Sequence, residues 1–78
     1  MDYKTLYRVQ VIHDYVAEYD DEIDLMKDEY LSVIAFRNEE DNKRDTGWEY
    51  GEKSNGVIGL FPVNFTIRLY DNEDQYRL

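Results

Sequence analysis

The sequence predicts an all-β domain: a small closed barrel, or a pair of packed sheets, built from five short strands. Three observations lead there. Short segments of alternating, β-branched and aromatic residues recur at positions 6–12, 30–36, 47–52, 57–61 and 66–70. Asn55-Gly56 falls between the third and fourth segments, where a hairpin turn belongs. No stretch of useful length carries apolar residues at helical spacing, and there is no internal repeat.

Taken in order, residues 1–5 read as a flexible lead-in. In residues 6–12, Tyr7, Val9 and Val11 fall on one face and Arg8 and Gln10 on the other, the alternation of a half-buried strand. The periodicity is then lost. Residues 13–22 gather Asp14, Glu18, Asp20, Asp21 and Glu22 with Tyr15 and Tyr19, a set that does not pack as one face, so a long acidic, aromatic loop is expected. Ile23-Asp24-Leu25 restores alternation at its far end. Residues 30–36 are rich in β-formers, with Leu31, Val33 and Ala35 expected to face inward. Residues 37–46 are almost wholly charged residues and Asn, with nothing to bury, and read as a second, mobile loop. The third strand holds the only tryptophan, Trp48; a glycine before it and charges around it leave one indole face near solvent. Asn55-Gly56 predicts a tight turn with positive φ at both central residues. The single proline, Pro62, is expected to stop the fourth strand, Val63-Asn64-Phe65 to form one helical turn, and residues 66–70 to alternate as the fifth strand. Residues 71–78 read as a polar tail, which sets the domain at 6–70.

A chain of 78 residues suits one small domain with a single core. It has no cysteine, so neither a disulfide framework nor a thiolate metal site stabilises it. No apolar run approaches the roughly 20 residues that cross a bilayer, and the first ten lack the hydrophobic segment of a signal peptide. A soluble intracellular protein is expected. The formal charge of -9 opposes nucleic acid and anionic membrane, and favours a cationic partner. No metal or cofactor is expected. His13 has no second His or Cys to join it, and Asp20-Asp21-Glu22-x-Asp24 lacks the glycine and the spaced terminal glutamate of an EF-hand loop. Those carboxylates have no nucleophile or oxyanion donors beside them, so catalysis is not expected. Asn64-Phe65-Thr66 matches the glycosylation pattern, which without a secretion signal reads as coincidence.

Four motifs, in register, carry a resemblance that runs from about Tyr7 to Leu69. Val11-Ile12-His13-Asp14-Tyr15 resembles the opening Ala-Leu-Tyr-Asp-Tyr of SH3 domains. Asp21-Glu22-Ile23-Asp24-Leu25 resembles the Asp/Glu-Glu-Leu-Ser-Phe segment that closes their long RT loop. Trp48 corresponds to the tryptophan of their Gly-Trp-Trp strand, and Gly59-Leu60-Phe61-Pro62-Val63-Asn64-Phe65 to their Gly-Leu-Phe-Pro-Ser-Asn-Tyr ending. The resemblance implies a five-stranded SH3-type barrel with a long RT loop, an n-Src loop, a distal hairpin and a short 3₁₀ turn. It further implies a non-catalytic interaction module for proline-rich, PxxP-type peptides with flanking Arg or Lys, a monomer within a larger multidomain protein. The pattern is similar to SH3 domains of fungal polarity and cortical scaffold proteins, which implies a cytoplasmic setting at the cell cortex or cytoskeleton.

A polyproline II helix is already extended, so its ordering costs little, and its ridges fit between flat aromatic walls. By position, the resemblance assigns those walls to His13, Tyr15, Trp48, Pro62 and Phe65. It assigns a pocket for the ligand's Arg or Lys to Glu22, with Glu18, Asp20, Asp21 and the Trp48 indole beside it. Departures are visible. His13 and Phe65 replace two tyrosines, which points to altered proline reading at that end. Asp28 stands at a usual glycine, Glu49 at a second tryptophan, and Val57 and Ile58 at positions usually polar. Glu39, Glu40 and Asp41 extend the acidic field. Two other functions are weighed against this one: a Tudor-like methyl-lysine cage built from Trp48, Tyr15 and Phe65, and an SH3 fold that docks an atypical motif or a folded surface through Val57, Ile58 and the second loop.

Overall fold

The computed structural model describes residues 2–38 and 46–70. The tail expected at 71–78 and most of the second loop, with Glu39, Glu40 and Asp41, lie outside the described residues. Five strands follow in chain order: β1 (Tyr3–Val11), β2 (Tyr30–Phe36), β3 (Trp48–Lys53), β4 (Ile58–Pro62) and, after one 3₁₀ turn over Val63–Phe65, β5 (Thr66–Leu69). All neighbours pair antiparallel, in the order β4-β3-β2-β1-β5. β4 and β5 therefore sit at opposite edges, yet only three residues join them. A flat sheet would hold those edges about 19 Å apart, whereas a three-residue 3₁₀ turn rises about 6 Å, so the sheet must curl. The curl is the barrel that the sequence predicts, and the Ile12 N–H closes one corner by donating to the Phe65 carbonyl at 2.8 Å.

The concave side of the curl buries Val9, Val11, Ile23, Leu25, Leu31, Val33 and Phe61, with Tyr7, Tyr15, Val63 and Phe65 packed against them. Leu31 and Val33 face inward as expected and Ala35 is half-buried. Ile34 points the other way and is buried as well. Its cross-strand partner Tyr50 starts a run of edge-to-face rings on that face, Tyr50 to Phe36 (centroids 5.1 Å) and Phe36 to Tyr3 (6.1 Å).

Several boundaries differ from the alternation pattern, each for a local reason. β1 starts at Tyr3, so Tyr3, Lys4 and Thr5 pair with Phe36, Ala35 and Ile34 rather than fraying. Leu6 is an unpaired bulge, which breaks the period-two phase and hides the strand's start. Pro62 is the last residue of β4, opposite Trp48; the strand continues as far as the residue that has no N–H to give. The β3–β4 hairpin forms at Asn55-Gly56, but positive φ falls on Gly56 alone, at 90°. The Gly56 N–H donates to the Lys53 carbonyl (2.9 Å) and the Asn55 side chain accepts from the Val57 N–H (3.1 Å). This is a turn closed by a left-handed glycine, not the two-residue turn with both central residues left-handed.

Candidate functional site

The segment between β1 and β2 loses periodicity in sequence because its order comes from side-chain-to-backbone bonds. Tyr15 and Leu25 exchange both backbone hydrogen bonds (2.9 and 2.8 Å), which makes the segment a narrow hairpin with buried Ile23 and Leu25 at its base. Four carboxylates pin its backbone: Asp14 accepts from the Lys27 N–H, Asp24 from the Ala17 N–H and Glu29 from the Met26 N–H, each at 2.7 Å, and Glu22 from the Glu18 N–H at 2.9 Å. Its returning arm then docks on the open edge of β4. The Leu60 N–H donates to the Asp21 carbonyl (2.8 Å) and the Ile23 N–H to the Leu60 carbonyl (3.0 Å). Gly59 permits this crossing, since a Cβ there would lie 2.7 Å from Ile23 Cγ2 and 2.9 Å from the Asp21 carbonyl oxygen.

That docking sets the hairpin against the start of β3 and the 3₁₀ turn, and four rings meet in a row. His13 meets Phe65 edge-to-face with centroids 6.0 Å apart, Phe65 meets Tyr15 at 5.5 Å, and Tyr15 meets Trp48 at 6.0 Å. Tyr15, Trp48 and Phe65 are half-buried and His13 is exposed. Pro62 is buried and pairs in register with Trp48, so it underlies the row more than it lines it. Gly47, with φ of 94°, turns the chain into β3 just before the indole, and its carbonyl accepts from the Val63 N–H at 2.9 Å.

The acidic residues divide into two groups. Glu18, Asp20 and Asp21 are exposed along the hairpin tip. Glu22 is half-buried, and its Oε1 accepts from the Tyr15 hydroxyl (2.6 Å) and from the Glu18 N–H (2.9 Å). The hydrogen bond from Tyr15, then that from the Glu18 N–H, holds the Glu22 carboxyl below its ordinary range against the opposing effect of desolvation; the Tyr19 N–H adds to the lowering. The same bond pushes the Tyr15 phenol up to about 12. Thus one tyrosine joins the ring row to the carboxylate. Periodicity carries no signal for that link, nor for Lys53, whose ammonium donates to the Asp24 carbonyl (2.9 Å) and pairs with Glu29 (3.4 Å), tying the β3–β4 hairpin to the base of the loop.

Comparison with known proteins gives this arrangement a family. Residues 11–66 match the family described as "Variant SH3 domain". Protein app1 of Schizosaccharomyces pombe is 40% identical over 63 residues, covering 81% of this chain and 6% of that protein. Mouse amphiphysin is 36% identical over 73 residues, covering 82% of this chain and 10% of its own length. The chain thus spans a tenth or less of these curated relatives. Among solved structures, the yeast Nbp2p SH3 domain in complex with a peptide from Ste20p superposes with a TM-score of 0.70 at 22% identity, over 92% of this chain and 97% of that one. The curled five-stranded sheet, the docked hairpin and the family match agree, and the chain belongs to the SH3 family of peptide-binding interaction modules.

Proposed function

We propose that this domain binds proline-rich, PxxP-type segments of other proteins that carry a flanking Arg or Lys. The observation that supports this best is the continuous row His13–Phe65–Tyr15–Trp48, joined at Tyr15 to the charged Glu22. A row of rings that meet edge to face offers recesses between them that proline rings fill, and a polyproline II ligand reaches them with little loss of chain entropy. The carboxylates at one end attract the basic flank and fix the ligand's position. A methyl-lysine cage needs its rings around one point, whereas these rings follow one another in a line. The setting we propose is the cytoplasm, at the cortex or cytoskeleton.

Titration of the isotope-labelled domain with basic proline-rich peptides tests this reading. The Trp48 indole and the amides of residues 18–22 are expected to shift, with Kd in the roughly micromolar range. Trp48→Ala in a folded domain is expected to abolish binding. A second reading, docking of a folded partner, has one observation in its favour: Val57 is 50% exposed at the end of the β3–β4 turn, beside half-buried Ile58. Binding that survives Trp48→Ala but is lost on Ile58→Asp would select that reading.

A further inference from the structure

We infer, resting on the peptide-binding reading above, that the pocket beside Trp48 takes its basic residue through a single-point charge contact, so that lysine is accepted on a par with arginine. Arginine's advantage over lysine at a carboxylate comes from forking two parallel N–H bonds across both oxygens. Glu22 does not offer both. Its Oε1 already accepts the Tyr15 hydroxyl at 2.6 Å and the Glu18 N–H at 2.9 Å, which uses the lone-pair directions of that oxygen. With that oxygen occupied and the Tyr19 N–H also acting on the carboxyl, a guanidinium placed here does not find both oxygens open, and the single contact left to it is open equally to an ammonium.

The restraint is built into the packing. The Tyr15 ring is held between Phe65 and Trp48, so its hydroxyl stays aimed at Glu22. The backbone on both sides of Glu22 is bonded to Leu60, so the residue is not free to swing outward as a unit. The nearby carboxylates of Glu18, Asp20 and Asp21 are exposed, and they add a field that a compact ammonium with three donors answers as well as a planar fork does. Tyr15 is in this sense a positioning residue for Glu22, and its hydroxyl sets how a cation is read.

The test uses two proline-rich peptides that differ only in Arg or Lys at the basic position, titrated calorimetrically against the whole chain. The wild-type Kd values are expected to agree within about threefold, where a forked contact would favour Arg by about tenfold. Tyr15→Phe keeps the ring and frees one of the two occupied acceptor directions of Oε1, leaving the Glu18 N–H in place, and is expected to shift the Arg-to-Lys ratio by about fivefold toward Arg, whatever it does to both affinities together. Glu22→Asp, too short to keep both bonds, is expected to move the ratio the same way. An Arg preference of tenfold or more in the wild type, or an unchanged ratio in both folded variants, overturns the inference and leaves peptide binding standing. If neither peptide binds the wild-type chain, the peptide-binding reading itself falls, and this inference with it.

Discussion

The Tyr15 hydroxyl and the Glu22 carboxylate each make the other harder to titrate, and the sign of each effect follows from which form keeps the bond. Glu22 accepts these bonds more strongly when ionised, so its folded value is lowered; what it contributes is present above its ordinary range and lost as pH falls through the lowered value. Tyr15 donates only when protonated, so its contribution is complete below its ordinary 10.0 and lost as pH rises through about 12. Carbon-detected NMR of the Glu22 carboxyl is therefore expected to report titration below the usual carboxylate range in the wild type, and a return upward in Tyr15→Phe. Equal values in the two proteins would remove the hydrogen bond as the cause. Asp28 offers a separate residue-scale prediction. It is the one non-glycine among the described residues with positive φ, at 77°, and its N–H donates to the Val11 carbonyl at 2.8 Å. The left-handed region strains an L-residue, while glycine enters it freely. Asp28→Gly is expected to stabilise the domain by about 0.5 kcal/mol after the entropy that glycine adds to the unfolded chain. Asp28→Ala is expected to destabilise it by a similar amount, both read as shifts of the urea midpoint at constant slope.

Between elements, one close approach is where the returning arm of the acidic hairpin crosses β4 at Gly59. Neither contact gives easily: the Ile23 methyl belongs to a buried, β-branched side chain, and the Asp21 oxygen belongs to the backbone, so the arm must lift and weaken the bonds between Leu60 and residues 21 and 23. Gly59→Ala is expected to cost about 2 kcal/mol in chemical denaturation, and to weaken binding of basic peptides because Glu22 rides on that arm. A variant with unchanged stability would show that the crossing adapts without moving. The same crossing explains what was legible beforehand. β2 keeps the bounds that its alternation predicts because it is paired on both sides and has no bulge. β1 lost its first three residues to the Leu6 bulge, and the β3–β4 turn took another geometry because Asn55 spends its side chain on the Val57 N–H instead of adopting positive φ. The acidic hairpin read as a long acidic, aromatic loop because its carboxylates bond backbone within the segment, an arrangement without periodicity. The ring row joins residues far apart in the chain, so only the motif resemblance, and not the pattern of any one strand, brought His13, Tyr15, Trp48 and Phe65 together.

Over the whole molecule, 18 acidic residues face 9 Lys and Arg, and the net charge of -9 acts on two equilibria in opposite directions. It crowds like charges in the folded state, and under the proposed function it draws in a basic peptide from a distance. Salt screens both. Between about 0.05 and 0.5 M NaCl the screening length shrinks from roughly 14 to 4 Å, less than the separation of most surface charges. Unfolding midpoints are therefore expected to rise with salt while peptide affinity falls. The kinetics separate the long-range field from the pocket contact: the association rate is expected to drop about tenfold over that range, with dissociation changing by less than about threefold. Glu22→Gln acts differently, since it removes a contact and only one of many charges; it is expected to speed dissociation while keeping most of the salt slope in association. Stopped-flow measurement of both rates at several salt concentrations checks this. Affinity independent of salt would mean that the acidic hairpin takes no part in recognition. A salt effect confined to dissociation would place the whole interaction in the pocket and leave the overall charge without a role in encounter.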